Sequence, residues 1–593
     1  MKSLWGTLNE LFKVLPKGAR GFYFGYSVLT GMLAVLDALA LALIVVVTAP
    51  LATGEGMTLP VIGKLPESAT PILVMMICGL FVLKGVFAVV LHRRATRRFA
   101  RYELETGDRL FSAYIHRSWE QRAQLSTAEV TRIVDTAMAN TNLGFLLQIS
   151  MIPGNAMTFF ATILVLVVAQ PVTALIALVY LLAIALIMNR VVSRAAKRAG
   201  EANRDLVYRI STIMTEMVDA LKEVTLRGKL GEISRVISKD RVRATNARAD
   251  MAYLSQVPKY AFETALIGGV LLVGGAAYLM SGLGGATVAV GLFAVTGFRV
   301  VPALNAIQSC LSSASANEVY ARDVIRELRD SEAQRAGDEH TADAVPMPES
   351  PKRLELRDVQ FRYPGADVNV LDGISLAVPF GSSLAVVGPS GAGKSTLIDI
   401  LLGLSEPTSG GLFVDGVPLE DLLGEWRKRV GYVPQRVALF DGSIAQNVAL
   451  TWEDNYELPL VQKALERAHL EALGEREGGL LARIGERGES ISGGQQQRLG
   501  IARAFYTDPL VMVMDEATSS LDTATENRVT ESMRELQGEV TFITVAHRLA
   551  TIREYDQVVY LDRGKIRGVG SFDEVVAQVP DFAIQARLAG LNA

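Results

Sequence analysis

The sequence predicts an all-α membrane domain of six helices, followed by a cytoplasmic α/β domain built on a phosphate-binding loop. Three observations carry that expectation. Half of the 593 residues are hydrophobic and mean hydropathy is +0.28, high for a protein dissolved in water. The apolar residues concentrate before residue 315, in runs long enough to cross a bilayer. Beyond them, Gly388-Pro389-Ser390-Gly391-Ala392-Gly393-Lys394-Ser395 fits the phosphate-loop pattern, with an apolar run before it and a helix-forming run after it.

Residues 1–20 set Leu4, Trp5, Leu8, Leu11, Phe12 and Leu15 at near-helical spacing. This predicts an amphipathic helix, lying at the membrane surface or packed on protein. The segment does not have the pattern of a secretory signal peptide. The spans of a membrane domain over 21–329 are expected near 21–50, 70–92, 143–169, 172–190, 260–281 and 286–311. Spans three and four are separated only by Gln170-Pro171, and spans five and six by Gly282 to Gly285, so both pairs form tight hairpins.

Basic residues orient the spans. The two long loops open with Arg93, Arg94, Arg97, Arg98 and Arg101, and with Arg190, Arg194, Lys197 and Arg198. The loop between spans one and two has Lys64 as its only basic residue. The positive-inside rule therefore places the long loops, both termini and the C-terminal domain in the cytoplasm. Each long loop is expected to continue its flanking spans as helices, with breaks near Ser118–Ser126 and Leu226–Gly231 as tips.

Asp37, Lys84, Glu263 and Arg299 fall inside spans. Ionisable groups at that depth are costly and usually face a bundle interior or a wet cavity. They are candidates for contacting a polar or charged substrate. Ion pairs between helices, or positions nearer the interface, are the competing explanations. Arg299 is the foremost candidate, because it is mid-span with Pro302 close by. A net charge of −3 supplies no global field for nucleic acid. Cys78 and Cys310 both sit in apolar runs, which argues against a disulfide framework.

Residues 330–352 are polar and hold Pro346, Pro348 and Pro351, the composition of a linker. The C-terminal domain is then 353–593. Its phosphate loop sits between the apolar run Leu384-Ala385-Val386-Val387 and a helix that starts through Thr396. Glycines let backbone N–H groups close on phosphate oxygens, and the helix N-terminus adds positive potential. Lys394 can reach the outer phosphates and Ser395 can hold Mg²⁺. Downstream, Leu510-Val511-Met512-Val513-Met514 is an apolar strand ending in Asp515 and Glu516. Asp515 is placed to assist Mg²⁺, and Glu516 to polarise an attacking water. Tyr363, ahead of the loop, can stack on a nucleotide base.

Between these motifs lies Ser492-Gly493-Gly494-Gln495. In that position it resembles the signature of the ATP-binding cassette (ABC) family. Other marks of the family follow in order. Gln435 in Tyr432-Val433-Pro434-Gln435 resembles the Q-loop glutamine, and Asp522 in Ser520-Leu521-Asp522 the D-loop. His547 in Ala546-His547-Arg548-Leu549 resembles the H-loop histidine. Glu486-Arg487-Gly488 resembles the segment by which exporters sense the membrane domain. Ile491 stands where leucine is commoner in the family.

Six spans and one cassette resemble a half-transporter of the ABC exporter type, which implies a partner chain and an ATPase. The resemblance implies ATP held by Tyr363, residues 388–396 and His547 of one chain and by Ser492, Gly493, Gly494 and Gln495 of the other. It also implies Asp522 near that interface, and Mg²⁺ held by Ser395, Gln435 and Asp515. Glu516, His547, Gln435 and Lys394 are the expected catalytic set. A homodimer is the simplest case and a heterodimer remains open.

Within the family the chain is most similar to bacterial flippases of lipid-linked oligosaccharides and related glycan lipids, through Asp37, Glu263 and Phe298-Arg299-Val300-Val301-Pro302 with Asn305. This implies outward movement of an amphiphilic substrate across the bacterial inner membrane. The alternatives are a general exporter of lipids, peptides or drugs, and an ATP-gated channel or non-pumping regulator.

Overall fold

The computed structural model describes residues 2–53, 58–59, 63–64, 70–124, 127–338, 346–485, 488–517, 523–546 and 548–591. By their contacts these residues form two compact units. One comprises Met1–Arg117 with Arg122–Gly337, the other Ser118–Gln121 with Asp338–Ala593.

The first unit is helical. It opens with α1 (Lys2–Val14) and α2 (Ala19–Thr53), and a short antiparallel hairpin of β1 (Thr58–Leu59) and β2 (Gly63–Lys64) follows. Then come α3 (Thr70–Ile115), α4 (Trp119–Gln124), whose first residues group with the second unit, and α5 (Thr127–Thr131). Two π-helical turns, Arg132–Ala137 and Asn140–Leu146, lead into α6 (Leu147–Ala169). α7 (Pro171–Asp219), α8 (Leu221–Leu226) and α9 (Leu230–Asp338) complete the unit.

Length explains the architecture. α3 has 46 residues and α7 has 49. At about 1.5 Å per residue each is far longer than a hydrocarbon core of about 30 Å. The surplus is the basic half of each helix. Pro171 starts α7 at a position where a missing N–H costs nothing. α9 breaks at Gly282, whose φ of 70° and ψ of −164° suit glycine. The expected four-residue turn at 282–285 is thus a break at one residue, because one such residue is enough to reverse the path. Four described helical segments are long and apolar enough to cross a membrane. The long helix α9 holds the fifth and sixth expected spans, and α2 the first.

The N-terminal helix departs from a surface-lying arrangement. Leu4, Leu8, Leu11 and Val14 are buried in one apolar cluster with Phe99, Tyr102, Tyr320 and Leu328. Protein covers the apolar face of α1, while Trp5 stays exposed. The alternative of a helix packed on protein prevails because α3 and α9 offer a matching apolar face. A buried carboxylate completes the attachment. Glu318 of α9 accepts hydrogen bonds from Thr7 Oγ1 at 3.0 Å, Ser3 Oγ at 3.2 Å, Lys197 Nζ at 2.8 Å and Arg322 Nη2 at 2.6 Å. Burial pushes this carboxyl up, but the donors outweigh it and hold the group below the usual glutamate range. Arg204 pairs with Asp323, a second link from α7 to α9.

The helix α9 runs through Asp338, covering the first nine residues of the segment read as a linker. The remainder of that segment up to residue 345 lies outside the described residues.

The second unit holds two sheets. The antiparallel one, in order β4-β3-β6-β7, is made of β3 (Arg353–Phe361), β4 (Leu371–Pro379), β6 (Ser409–Val414) and β7 (Val417–Pro418). The second has the order β12-β11-β5-β10-β9-β8. Its strands are β5 (Ser383–Val387), β8 (Val430–Val433), β9 (Val511–Asp515), β10 (Thr541–Val545), β11 (Gln557–Asp562) and β12 (Lys565–Gly570). All its neighbours pair in parallel except β12, which is antiparallel to β11. β5 and β10 are buried along their whole length, as expected of central strands covered on both faces.

Helices α10 (Lys394–Leu401) and α11 (Leu419–Lys428) belong to the core around β5. A separate apolar cluster gathers α12 (Ile444–Ala449), α13 (Leu458–Arg467), α14 (Glu471–Gly474) and α15 (Gly493–Tyr506). α16 (Thr523–Glu535), α17 (Leu549–Ile552), α18 (Phe572–Gln578) and α19 (Pro580–Leu588) close the unit.

Candidate functional site

The phosphate loop leaves the end of β5 and enters α10, so its backbone is anchored at both ends. Gly388, Gly391 and Gly393 have φ of 150°, 78° and 101°. A Cβ on Gly388 would stand 2.0 Å from the Leu561 carbonyl oxygen, and one on Gly393 2.8 Å from Leu371 Cδ2. The loop therefore needs glycine for space as well as for conformation. Ala392 is buried beneath it, whereas Pro389, Ser390, Gly391 and Ser395 face solvent.

Lys394 folds back on this loop, donating to the carbonyls of Gly388 at 2.9 Å and Pro389 at 3.0 Å. Burial lowers its pKa, opposed by the nearby carboxylates of Glu516 and Asp515. Tyr363 reaches the same place from beyond β3. Its hydroxyl is 3.2 Å from Thr396 Oγ1 and its ring meets Phe361 edge-on at 5.0 Å. Thr396 is buried, so its hydroxyl serves Tyr363 in this arrangement.

β8 and β9 are neighbours, which brings Gln435 beside the end of β9. Gln435 Nε2 donates to Glu516 Oε2 at 2.6 Å. Glu516 has φ of 52°, left-handed for a non-glycine residue, and its N–H donates to Val545 O at 3.2 Å. Such backbone conformations cluster at functional sites. With its amide nitrogen on Glu516, Gln435 keeps its amide oxygen for a cation. Ser395, Gln435 and Asp515 then supply hard oxygen donors, which fits Mg²⁺ held by few protein ligands plus phosphates. Among the described residues, no group of three His, Cys, Asp or Glu side chains is placed to hold a metal by itself.

Ser492 caps α15. It accepts from the Gln495 N–H at 3.3 Å, and the Gln495 side chain returns a bond to the Ser492 N–H at 2.9 Å. This reciprocal cap leaves Gly493 and Gly494 in the first turn of α15. Gln497 Nε2 donates to Pro434 O at 3.1 Å, joining α15 to the Gln435 loop. His547, Asp522, Glu486 and Arg487 lie outside the described residues.

Sequence reasoning missed Asp399, an acid on the inward side of α10. Burial pushes its carboxyl up to about 6. A hydrogen bond from Trp119, which belongs to this unit, works against that shift, and the charges of Glu120 and Asp515 add to it. Burial, with Asp515 and Asp399 nearby, likewise raises Tyr432 to about 12. The available signal for Asp399 was a lone acid in an otherwise apolar helical turn.

In the membrane-type unit, Arg299 and Lys84 both lie near the Phe81 turn of α3. The Arg299 guanidinium lies 5.2 Å from the centre of the Phe81 ring. Lys84, one turn along α3 from Phe81, lines a groove of about 160 Å³ with Tyr26, Thr30, Asn155 and Thr158. Glu263 is exposed on α9. The Asp37 side chain lies outside the described residues.

An apolar helical unit joined to a phosphate-loop unit, with Glu516 and Asp515 near the loop lysine and Gln435 bonded to Glu516, defines a membrane-type protein carrying a nucleotide cassette. Residues 371–519 match the family model described as ABC transporter, so the cassette is an ABC transporter ATP-binding domain. The chain is 39% identical over 232 residues to the ATP-dependent lipid A-core flippase of Vibrio vulnificus (strain CMCP6), covering 39% of this chain and 40% of that protein. It is 42% identical over 236 residues to the beta-(1→2)glucan export ATP-binding/permease protein NdvA of Bradyrhizobium diazoefficiens, covering 40% and 39%. It is 40% identical over 231 residues to ABC transporter B family member 14 of Arabidopsis thaliana, covering 39% and 18%. The matched segment thus spans about two fifths or less of these relatives. A solved bacterial Atm1-family ABC exporter with ATP bound has the same fold, with a TM-score of 0.74 at 21% identity, over 98% of this chain and 100% of that one.

Proposed function

We propose that the chain is one half of an ATP-driven exporter that works as a homodimer and moves an amphiphilic substrate outward across the cytoplasmic membrane. The observation that carries this reading is the 2.6 Å contact of Gln435 with Glu516 beside Lys394, in a cassette fused to apolar helices. A gate that did not turn over would not need a base so placed.

In this reading the cassettes of two chains close on ATP. Ser492, Gly493 and Gly494 of one chain offer donors to the γ-phosphate bound at the other chain's loop. Lys394 leaves the Gly388 and Pro389 carbonyls for phosphate oxygens. Gln435 orients the attacking water, Glu516 takes its proton, and His547 steadies the γ-phosphate. Ser395, Gln435 and Asp515 would hold Mg²⁺, which supplies charge neutralisation between the outer phosphates. Nucleotide favours the closed pair, and hydrolysis resets it. The cytoplasmic helix tips transmit closure to the spans.

The substrate class favoured is a lipid-linked oligosaccharide or related glycan lipid. Relatives named for lipid A-core and for beta-(1→2)glucan support that choice. Arg299 suits the paired phosphate oxygens of a pyrophosphate link, and the Lys84 groove offers a second cation. The experiment is ATPase activity of the full chain in lipid nanodiscs, with and without a polyprenyl-pyrophosphate oligosaccharide. A selective change that Arg299→Ala abolishes supports the glycan-lipid reading. Stimulation by unrelated amphiphiles alone would replace it with a general exporter.

A further inference from the structure

α16 follows directly on the segment resembling the D-loop, and two unassigned side chains hold it from different sides. On one side is His469, which follows α13 and has φ of 51°. Its carbonyl accepts from the guanidinium of Arg498 on α15. Its ring Nε2 lies 3.1 Å from the Arg528 carbonyl and 2.8 Å from Ser532 Oγ, both on α16. A carbonyl only accepts, which assigns the proton to Nε2, whose single N–H is shared between the Arg528 carbonyl and the Ser532 hydroxyl oxygen. His469 therefore ties the helix of Ser492-Gly493-Gly494 to α16, through its backbone on one side and its ring on the other.

The second hold is Glu526. Its side chain is 7% exposed and accepts from Arg548 Nη1 and, at 3.2 Å, from Thr551 Oγ1. Arg548 directly follows His547. Ser532 is six residues beyond Glu526, about 240° round the helix, so the two holds grip different faces.

We propose that α16 is a brace between the signature helix and the H-loop, with His469 and Glu526 as its positioning residues. The proposal rests on the ATPase reading above. In that reading Ser492-Gly493-Gly494 meets ATP on the partner chain while His547 meets ATP on its own chain. A rigid α16 makes the placement of one depend on the other. The bonds of His469 and Glu526 go to Arg498, Arg528, Ser532, Arg548 and Thr551, none of them in the phosphate loop, so on this proposal their loss acts on turnover and leaves ATP affinity in place.

The test measures kcat, KM for ATP and thermal midpoint of the full chain in nanodiscs. The variants are His469→Ala, His469→Gln, Ser532→Ala, Glu526→Gln and the His469→Ala/Glu526→Gln double. Misplacement of catalytic groups by under an ångström predicts a kcat loss of about tenfold in His469→Ala and in Glu526→Gln. KM and the midpoint should hold. His469→Gln, whose amide N–H stands near the place of Nε2–H, should recover most of the rate, and Ser532→Ala should lose only part of it. Because both residues act through one helix, the double variant should be no slower than the slower single. Three results would overturn the brace: an unchanged kcat in His469→Ala, losses that multiply in the double, or a midpoint that falls with kcat in Ser532→Ala as well. A wild-type chain that hydrolyses no ATP would instead sink the ATPase reading, and the brace with it.

Discussion

At Glu516 three constraints meet: the end of a buried strand, a left-handed φ of 52° and a hydrogen bond from Gln435. Glu516→Gln keeps the shape and removes the base. Turnover should fall roughly 10²–10⁴-fold while ATP stays bound, which single-turnover hydrolysis and nucleotide retention would measure. Native turnover in that variant would remove Glu516 from the role. Gly388 is constrained by space. In Gly388→Ala the added Cβ would meet the Leu561 oxygen at 2.0 Å, so the loop must shift. Loss of binding of a fluorescent ATP analogue with the cassette still folded is the expected result.

Asp399 supplies a pH prediction. Burial raises its folded pKa to about 6, with Trp119 opposing and Glu120 and Asp515 adding, whereas an unfolded aspartate sits near 3.9. The folded state binds the proton more tightly, so stability falls as pH rises from about 4 to about 6 and stays reduced above. Asp399→Asn should raise the thermal midpoint at about pH 8 and leave it nearly unchanged at about pH 4. An equal shift at both pH values would contradict this account.

At the scale of elements, the sequence was most legible where local physics decides. The 3.6-residue pattern of Leu4, Leu8 and Leu11 announced α1, and Pro171 and Gly282 announced the two tight hairpins. What covers α1 was not legible, because a helical stripe states that a face is buried and not by what. Phe99, Tyr102, Tyr320 and Glu318 are far from it in sequence. Removing Glu318 takes the acceptor from Ser3 and Thr7 of α1, while Lys197 and Arg322 are partly exposed and can be solvated, so the loss to α1 is about 1 kcal/mol per hydroxyl bond. In Glu318→Ala, hydrogen exchange over residues 2–15 should accelerate selectively. Protection equal to that of the wild type would show that the apolar face alone holds α1. The phosphate loop, the Asp515–Glu516 strand end and the capped Ser492 helix were legible as motifs, since each is contiguous. Asp399, His469 and Glu526 were not, because their partners lie across the sheet order or in another helix.

For the whole molecule, the proposed function has the signature of one chain serve another chain's nucleotide, and on that proposal activity is a property of pairs. Wild-type chains co-reconstituted with increasing Glu516→Gln should lose activity faster than in proportion to the wild-type fraction. A strictly proportional decline would mean that each chain works alone. Mixing in detergent followed by nanodisc assembly, with ATPase read at each ratio, makes the measurement.

By itself the sequence determined that apolar helices precede a nucleotide cassette and which residues form the phosphate loop and its carboxylates. These follow from hydropathy and contiguous motifs, both of them local properties of the chain. Tertiary structure alone decided that protein covers α1, that Gln435 is bonded to Glu516, that Arg299 lies over Phe81, and that α16 is held by His469 and Glu526. Those contacts join residues distant in sequence. Their existence depends on strand order and helix packing, which no local pattern encodes.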